Sequence, residues 1–151
     1  MKRIGSGGEL KELQGELAAK RPEGRRAIAV CAGTGCKAFG SFKLLPVFAE
    51  ELKKRNLAGK VELRPTGCHG FCERGPLVLM FPQGLLYTRV KAEDVPEIVE
   101  KTVVGNEVVQ RLLYQDPVTG KRYEKEHEIP FYAQQHRLVL KNNGLLDPTS
   151  I

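Results

Sequence analysis

Two short cysteine pairs constrain this chain more than any other feature. Cys31 and Cys36 bracket "CAGTGC", Cys68 and Cys72 bracket "CHGFC", and the chain holds no other cysteine. A C-x4-C pair and a C-x3-C pair act together only if the fold brings them to one place. The residues between them show how it does. "RRAIAV" (25–30) is a short apolar run that reads as a buried strand and leads straight into the first pair. In "SFKLLPVFAEELKKRNL" the residues Phe42, Leu45, Phe48, Ala49 and Leu52 share one helical face, and Pro46 suits a first turn. "KVELRP" alternates, with Val61 and Leu63 on one side, and leads into the second pair. A strand–helix–strand of this length predicts a parallel unit with a right-handed crossover. Parallel neighbours end at the same sheet edge, so both cysteine loops emerge together.

The remaining pattern completes a domain. "PLVLMF", the turn "PQG" and "LLYTRV" predict a hairpin. "KAEDVPEIVEKTVVG" predicts a helix with Asp94 as N-cap, Pro96 in the first turn and Gly105 as terminator. The order β-α-β-β-β-α over residues 25–115 is an α/β, thioredoxin-like arrangement with a mixed four-stranded sheet. Residues 1–24 form an arm, with Leu10, Leu13 and Leu17 at helical spacing, suited to an interaction or to covering the domain. "NEVVQRLLY" reads as a further short helix. Residues 116–129 read as a polar, turn-rich linker, and 130–151 as a C-terminal extension with one strand candidate, "HRLVL".

Charge and hydropathy exclude several function classes. The net charge is +6, but 24 basic residues are interleaved with 18 acidic ones, as in "EELKKR" and "KRYEKEHE". No basic run with interleaved aromatics is present, which argues against nucleic acid as a partner. No apolar run approaches the roughly 18 residues of a membrane span, so no membrane insertion is expected. The N-terminus has no apolar stretch of signal-peptide length, and the expected compartment is a reducing cytoplasm. There, paired cysteines point to metal or redox chemistry before disulfides.

The spacings then narrow the chemistry. A thioredoxin-type dithiol wants C-x-x-C at a helix N-terminus, which neither pair provides. Zinc knuckles commonly use closer pairs. Wider pairs suit a [2Fe–2S] cluster, in which each iron takes two thiolates. Four thiolates, two sulfides and two ferric irons carry about −2, or about −3 when reduced, and need nearby backbone N–H donors. Gly33, Thr34, Gly35, Gly67 and Gly70 allow that close approach. The candidate ligands are therefore Cys31, Cys36, Cys68 and Cys72. A zinc-stabilised docking module remains the alternative, with a dithiol regulator behind it. His69 is expected to point away from the thiols, and His127 and His136 into solvent. Glu73 and Arg74 read as surface charges, Phe71 as either shield or core, and Gly75–Pro76 as a candidate cis bond.

The residues "AVCAGTGCKAFGS" and the stretch from "PTGCHGFCERGP" to "VVQRLLY" resemble the thioredoxin-like [2Fe–2S] ferredoxin domain. The likeness is to the version fused at the N-terminus of NADH-binding flavoprotein subunits. Such subunits occur in multimeric, some of them electron-bifurcating, NAD(P)-linked hydrogenases and in formate dehydrogenases. The family is related to the small iron–sulfur subunit of NADH dehydrogenase. The resemblance implies one-electron transfer through a [2Fe–2S] cluster on these four cysteines, with no bond-making chemistry in the domain itself. It implies redox partners carrying flavin and iron–sulfur centres, and it allows a homodimer, as in free bacterial relatives. "IPFYAQQHRLVLKNNGLLDP" resembles the opening of the flavin- and NADH-binding module, so 130–151 is expected to be the start of that module, cut short. The nucleotide and flavin loops are not in this sequence, and NADH binding is not transferred to it.

Overall fold

A computed structural model describes residues 3–20 and 24–145. An N-terminal helix α1 (Gly7–Lys20) precedes the domain. Strand β1 (Ala27–Cys31), the short helix α2 (Thr34–Ala38), helix α3 (Leu44–Lys54) and strand β2 (Glu62–Thr66) follow. Strands β3 (Val78–Phe81) and β4 (Leu85–Tyr87) form the expected hairpin. The sheet order is β2-β1-β3-β4, with β1 and β2 parallel and the other pairs antiparallel.

Strand parity divides the core into two layers. Successive side chains alternate faces. Ile28, Val30, Val78, Met80, Leu85 and Tyr87 face one way and pack on Leu44, Phe48 and Leu52 of α3. Ala29, Cys31, Leu79 and Leu86 face the other way, onto Phe71, Leu77, Tyr114, Ile129 and Tyr132. The same alternation that buries Ile28 under a helix thus delivers Cys31 to the opposite layer.

Several expectations need correction. Phe42 is not on the helical face: it lies in a turn at Ser41–Lys43 and is 54% exposed, its ring beneath the Lys37 ammonium at 4.6 Å. Ala49 is also exposed. The buried stripe is Leu44, Phe48 and Leu52, because the helix starts two residues past Phe42. The helix expected after β4 opens as a 3-10 turn (Ala92–Asp94), makes one α turn, α4 (Val95–Glu97), and continues as a π-helix (Ile98–Val104). Asp94 does not cap it as the first residue. Lys91 occupies that position: its N–H donates to Asp94 Oδ2 at 2.8 Å, and Asp94 N–H donates to Lys91 O at 3.0 Å. Gly105 does end the helix, and a Cβ there would stand 2.8 Å from Lys101 O.

Residues 106–113 form only a turn at Gln110–Leu112, because their hydrogen bonds run to β4 instead. Val109 N–H donates to Tyr87 Oη at 2.9 Å, and Thr88 N–H to Leu112 O at 2.8 Å. The run 116–129 is not an open linker. Asp116 Oδ1 accepts from Val118 and Thr119 N–H at 2.8 and 2.9 Å. That turn closes a hairpin of β5 (Tyr114–Gln115) and β6 (Arg122–Tyr123). Leu86 N–H then bonds Glu124 O at 2.9 Å, and Ile129 is fully buried. A last helical turn, α5 (Pro130–Ala133), follows. "HRLVL" forms no strand. Leu138 and Val139 lie exposed in turns, and the chain bends back onto the second cysteine loop. Leu10, Leu13 and Leu17 of α1 are exposed rather than covering the domain.

Candidate metal centre

The parallel register sets Cys31 beside Thr66 at the ends of β1 and β2. Ala32 N–H donates to Thr66 O at 2.9 Å, so the two chains leave the sheet side by side. The first loop turns into α2, which carries Cys36. The second carries Cys68 and then Cys72 at the start of a 3-10 turn, Cys72–Arg74. All four cysteines are free; Cys31 and Cys36 are fully buried, while Cys68 and Cys72 are half-buried.

The loops interlock so closely that glycine is required at three points. A Cβ on Gly33 would lie 2.8 Å from Cys68 Cβ. On Gly35 it would lie 2.9 Å from Cys72 Cβ, and on Gly75 2.9 Å from Cys36 Sγ. Each glycine of the first loop thus faces a cysteine of the second, and Gly75 returns the contact to Cys36. The Gly75–Pro76 bond is cis, as the sequence suggested, and so is Phe81–Pro82.

Polar groups converge on the sulfurs. Gly70 N–H donates to Cys68 Sγ at 3.3 Å. Cys31 is lowered to about 5, chiefly by a hydrogen bond from the Cys36 thiol, against the opposing effect of burial, with help from the His69 and Gly33 backbone N–H groups. Cys36 is pushed up because it donates that bond and is buried, with the Leu77 N–H opposing. Cys72 rises in the same way, by donating to Cys68 and by burial. The pair Cys68–Cys72 is close enough to share a proton, while the Cys31 Sγ lies 3.7 Å from Gly67 O. Cys68 Sγ and Cys72 Sγ lie 3.6 Å apart. Two thiolates on one tetrahedral metal, with metal–sulfur bonds of about 2.3 Å, stand roughly 3.7 Å apart. The residues fit a centre that takes thiolates in pairs.

His69 is not placed as a ligand. It is 1% exposed, its Nδ1 donates to Glu126 Oε1 at 3.0 Å, and its Nε2 lies 3.1 Å from Thr66 Oγ1. His127 and His136 are exposed. Phe71 is core: it stacks on Phe131 at 4.5 Å and meets Tyr114 and Tyr132 edge-on. Glu73 is exposed, but Arg74 is half-buried with its guanidinium over the Tyr114 ring at 5.4 Å.

Sequence reasoning missed the C-terminal residues that hold the second loop. Asn143 Nδ2 donates to Cys68 O at 3.2 Å, and Asn143 O accepts from Gly67 N–H at 3.0 Å. The Arg137 guanidinium donates to His69 O. No local motif marks these side chains, because their partners lie 68 and 75 residues away in the chain.

Fold and site together define a thioredoxin-like domain in which two interlocked loops gather four cysteines. The sequence profile of the thioredoxin-like [2Fe–2S] ferredoxin family matches residues 17–103. A 2Fe–2S ferredoxin of Clostridium pasteurianum is 43% identical over 77 residues, 51% of this chain and 76% of that one. A 2Fe–2S ferredoxin of Aquifex aeolicus is 40% identical over 79 residues, 52% of this chain and 71% of its own length. The crystal structure of the wild-type thioredoxin-like [2Fe–2S] ferredoxin from Aquifex aeolicus superimposes with a TM-score of 0.56 at 34% identity. It covers 63% of this chain and 100% of that one. The chain belongs to the thioredoxin-like [2Fe–2S] ferredoxin family. The family binds a [2Fe–2S] cluster, and its domain is an electron carrier rather than a catalyst. No helix among the described residues is long and apolar enough to cross a membrane.

Proposed function

We propose that Cys31 and Cys36 hold one iron of a [2Fe–2S] cluster, and Cys68 and Cys72 the other. The observation that supports this most is the interlocking of the two loops, where Gly33, Gly35 and Gly75 let Cys68, Cys72 and Cys36 approach as no larger residue would. When bound, such a cluster accepts and releases one electron at a time, its iron alternating between ferric and ferrous. The chain's own residues do the rest. Backbone N–H groups of Gly33, His69, Gly70 and Leu77 face the sulfurs and favour their negative charge. The layer of Phe71, Leu77, Ile129 and Tyr132 keeps water from Cys31 and Cys36. The less buried Cys68 and Cys72 form the side through which electrons enter and leave.

We assign the domain to an NAD(P)H-linked hydrogenase or dehydrogenase, where it relays electrons between a flavin module and further iron–sulfur centres in the cytoplasm. The likeness of residues 130–151 to the start of such a module supports that assignment. The test is anaerobic, iron-replete purification followed by serine replacement of each cysteine in turn. The parent is expected to be brown with visible charge-transfer bands, and each serine variant to show altered bands or lose them. A colourless protein holding one zinc and no labile sulfide would identify a structural docking module instead.

A further inference from the structure

The peptide group between His69 and Gly70 is bonded on both sides. Its N–H, that of Gly70, donates to Cys68 Sγ at 3.3 Å. Its carbonyl, that of His69, accepts from the Arg137 guanidinium. One amide thus links a cation to a cysteine sulfur. The approach is close because Gly70 has φ 85° and no side chain: a Cβ there would stand 3.1 Å from Arg137 Nη2. Across that amide the guanidinium lies within about 9 Å of Cys68 Sγ, by bond and hydrogen-bond lengths alone. Arg137 is half-buried, and its other partners are neutral. Its Nε donates to Gln135 Oε1 at 3.0 Å, and its Cζ stands 4.7 Å from the centroid of the Tyr132 ring. No carboxylate among the described residues pairs with it. Glu126, which lines one cavity with Arg137, is engaged by His69 Nδ1 at 3.0 Å instead. The positive charge therefore stands beside the second cysteine loop without a paired negative one.

We propose that Arg137 is a positioning residue of the centre, acting on Cys68 through the His69–Gly70 amide, and that it raises the redox potential of the centre. The inference rests on the four cysteines being the ligands. A cation on the carbonyl polarises the amide and strengthens the bond that its N–H gives to sulfur. Reduction adds about one negative charge, so both this bond and the direct attraction favour the reduced state. Asn143 holds the preceding carbonyl, Cys68 O, at 3.2 Å, but it is neutral and fixes the loop without supplying charge. Arg137 lies outside the part of the chain that the family profile matches, residues 17–103. The tuning is thus a property of this chain's extension, not of the shared domain.

The test is a redox titration of the cluster-loaded full chain beside Arg137→Gln, which keeps a donor but loses the charge, and Arg137→Lys, which keeps the charge. Arg137→Gln is expected to lower the equilibrium constant for one-electron reduction about tenfold, a shift of about 59 mV to more negative potential. Arg137→Lys is expected to move it by less than half as much. A merely structural side chain would leave loaded Arg137→Gln at the parent potential. That result, or Arg137→Lys displaced as far as Arg137→Gln, overturns the proposal. The cluster-free chain supplies a second readout, which serves even where a variant loads poorly. There the Gly70 amide should exchange faster in Arg137→Gln than in the parent, and equal exchange overturns the link through the amide. Iron and sulfide analysis separates the two levels. Loaded variants at the parent potential sink only the role of Arg137. A parent chain that binds no iron and sulfide sinks the ligand assignment as well.

Discussion

Gly33→Ala tests the architecture of the site in a single methyl group. Gly33 has φ −61° and ψ 154°, which any residue adopts, so alanine meets no backbone strain there. On backbone entropy alone the change would stabilise the fold by about 0.4–1 kcal/mol. Space decides otherwise. The new Cβ would stand 2.8 Å from Cys68 Cβ, 3.1 Å from its Cα and 3.2 Å from its Sγ. Ordinary carbon–carbon contact begins near 3.5 Å, so Cys68 must retreat by about 0.7 Å. Metal–ligand distances tolerate only about 0.2 Å. Cys68 cannot retreat freely, because Asn143 holds its carbonyl and the Gly70 N–H its sulfur. Overpacking of this kind costs about 1–3 kcal/mol. At about 1.4 kcal/mol per decade, cluster retention should fall by roughly fivefold to a hundredfold. The assay is iron and labile sulfide per chain after anaerobic reconstitution and a chelator challenge, beside a thermal melt. Gly15→Ala, in α1 with nothing within 4 Å of the added methyl, should behave as the parent. A Gly33→Ala protein that holds its cluster as the parent does would refute the reasoning.

Three further outcomes follow from the same geometry. Tyr87→Phe removes a buried hydroxyl that accepts from Val109 N–H and lies 2.6 Å from Thr102 Oγ1, and chemical denaturation should show a loss of about 1–3 kcal/mol. Glu126→Ala leaves His69 Nδ1 buried without its carboxylate; the same measurement should show a loss of similar size, about 1–3 kcal/mol, and the second cysteine loop should exchange its amides faster. Glu97 is held below the ordinary carboxylate range by Lys101 first and then by Arg111. Its contribution is present above its unfolded-state pKa and is lost as pH falls through the lower folded value. Melting temperature should therefore drop toward acid less steeply in Glu97→Gln than in the parent, and salt should shrink the difference.

The sheet and the cysteine loops were legible because both rest on local rules. Strand parity in "AIAVC" and "LVLMF" sorts residues between two faces, and two parallel strands must release their loops at one edge. Pro46 marked the first turn of α3, which starts at Leu44, but periodicity also carried Phe42 onto its face, while a turn holds that residue outside. The π-helix at Ile98–Val104 left no mark in composition, because a one-residue change in hydrogen-bond register uses the same side chains. The C-terminal third was least legible. Its polar residues look like solvated linker until their partners are known. Glu126 finds His69 and Asn143 finds Cys68 across long separations, and neither pairing has a sequence period.

The central claim is that the two cysteine pairs together hold one binuclear cluster. The most direct test is iron and acid-labile sulfide analysis of the anaerobically purified chain, with electron paramagnetic resonance after reduction. The account predicts about two irons and about two sulfides per chain, with a reduced-state signal that integrates to about one spin. One metal ion per chain, no labile sulfide and no such signal would contradict it.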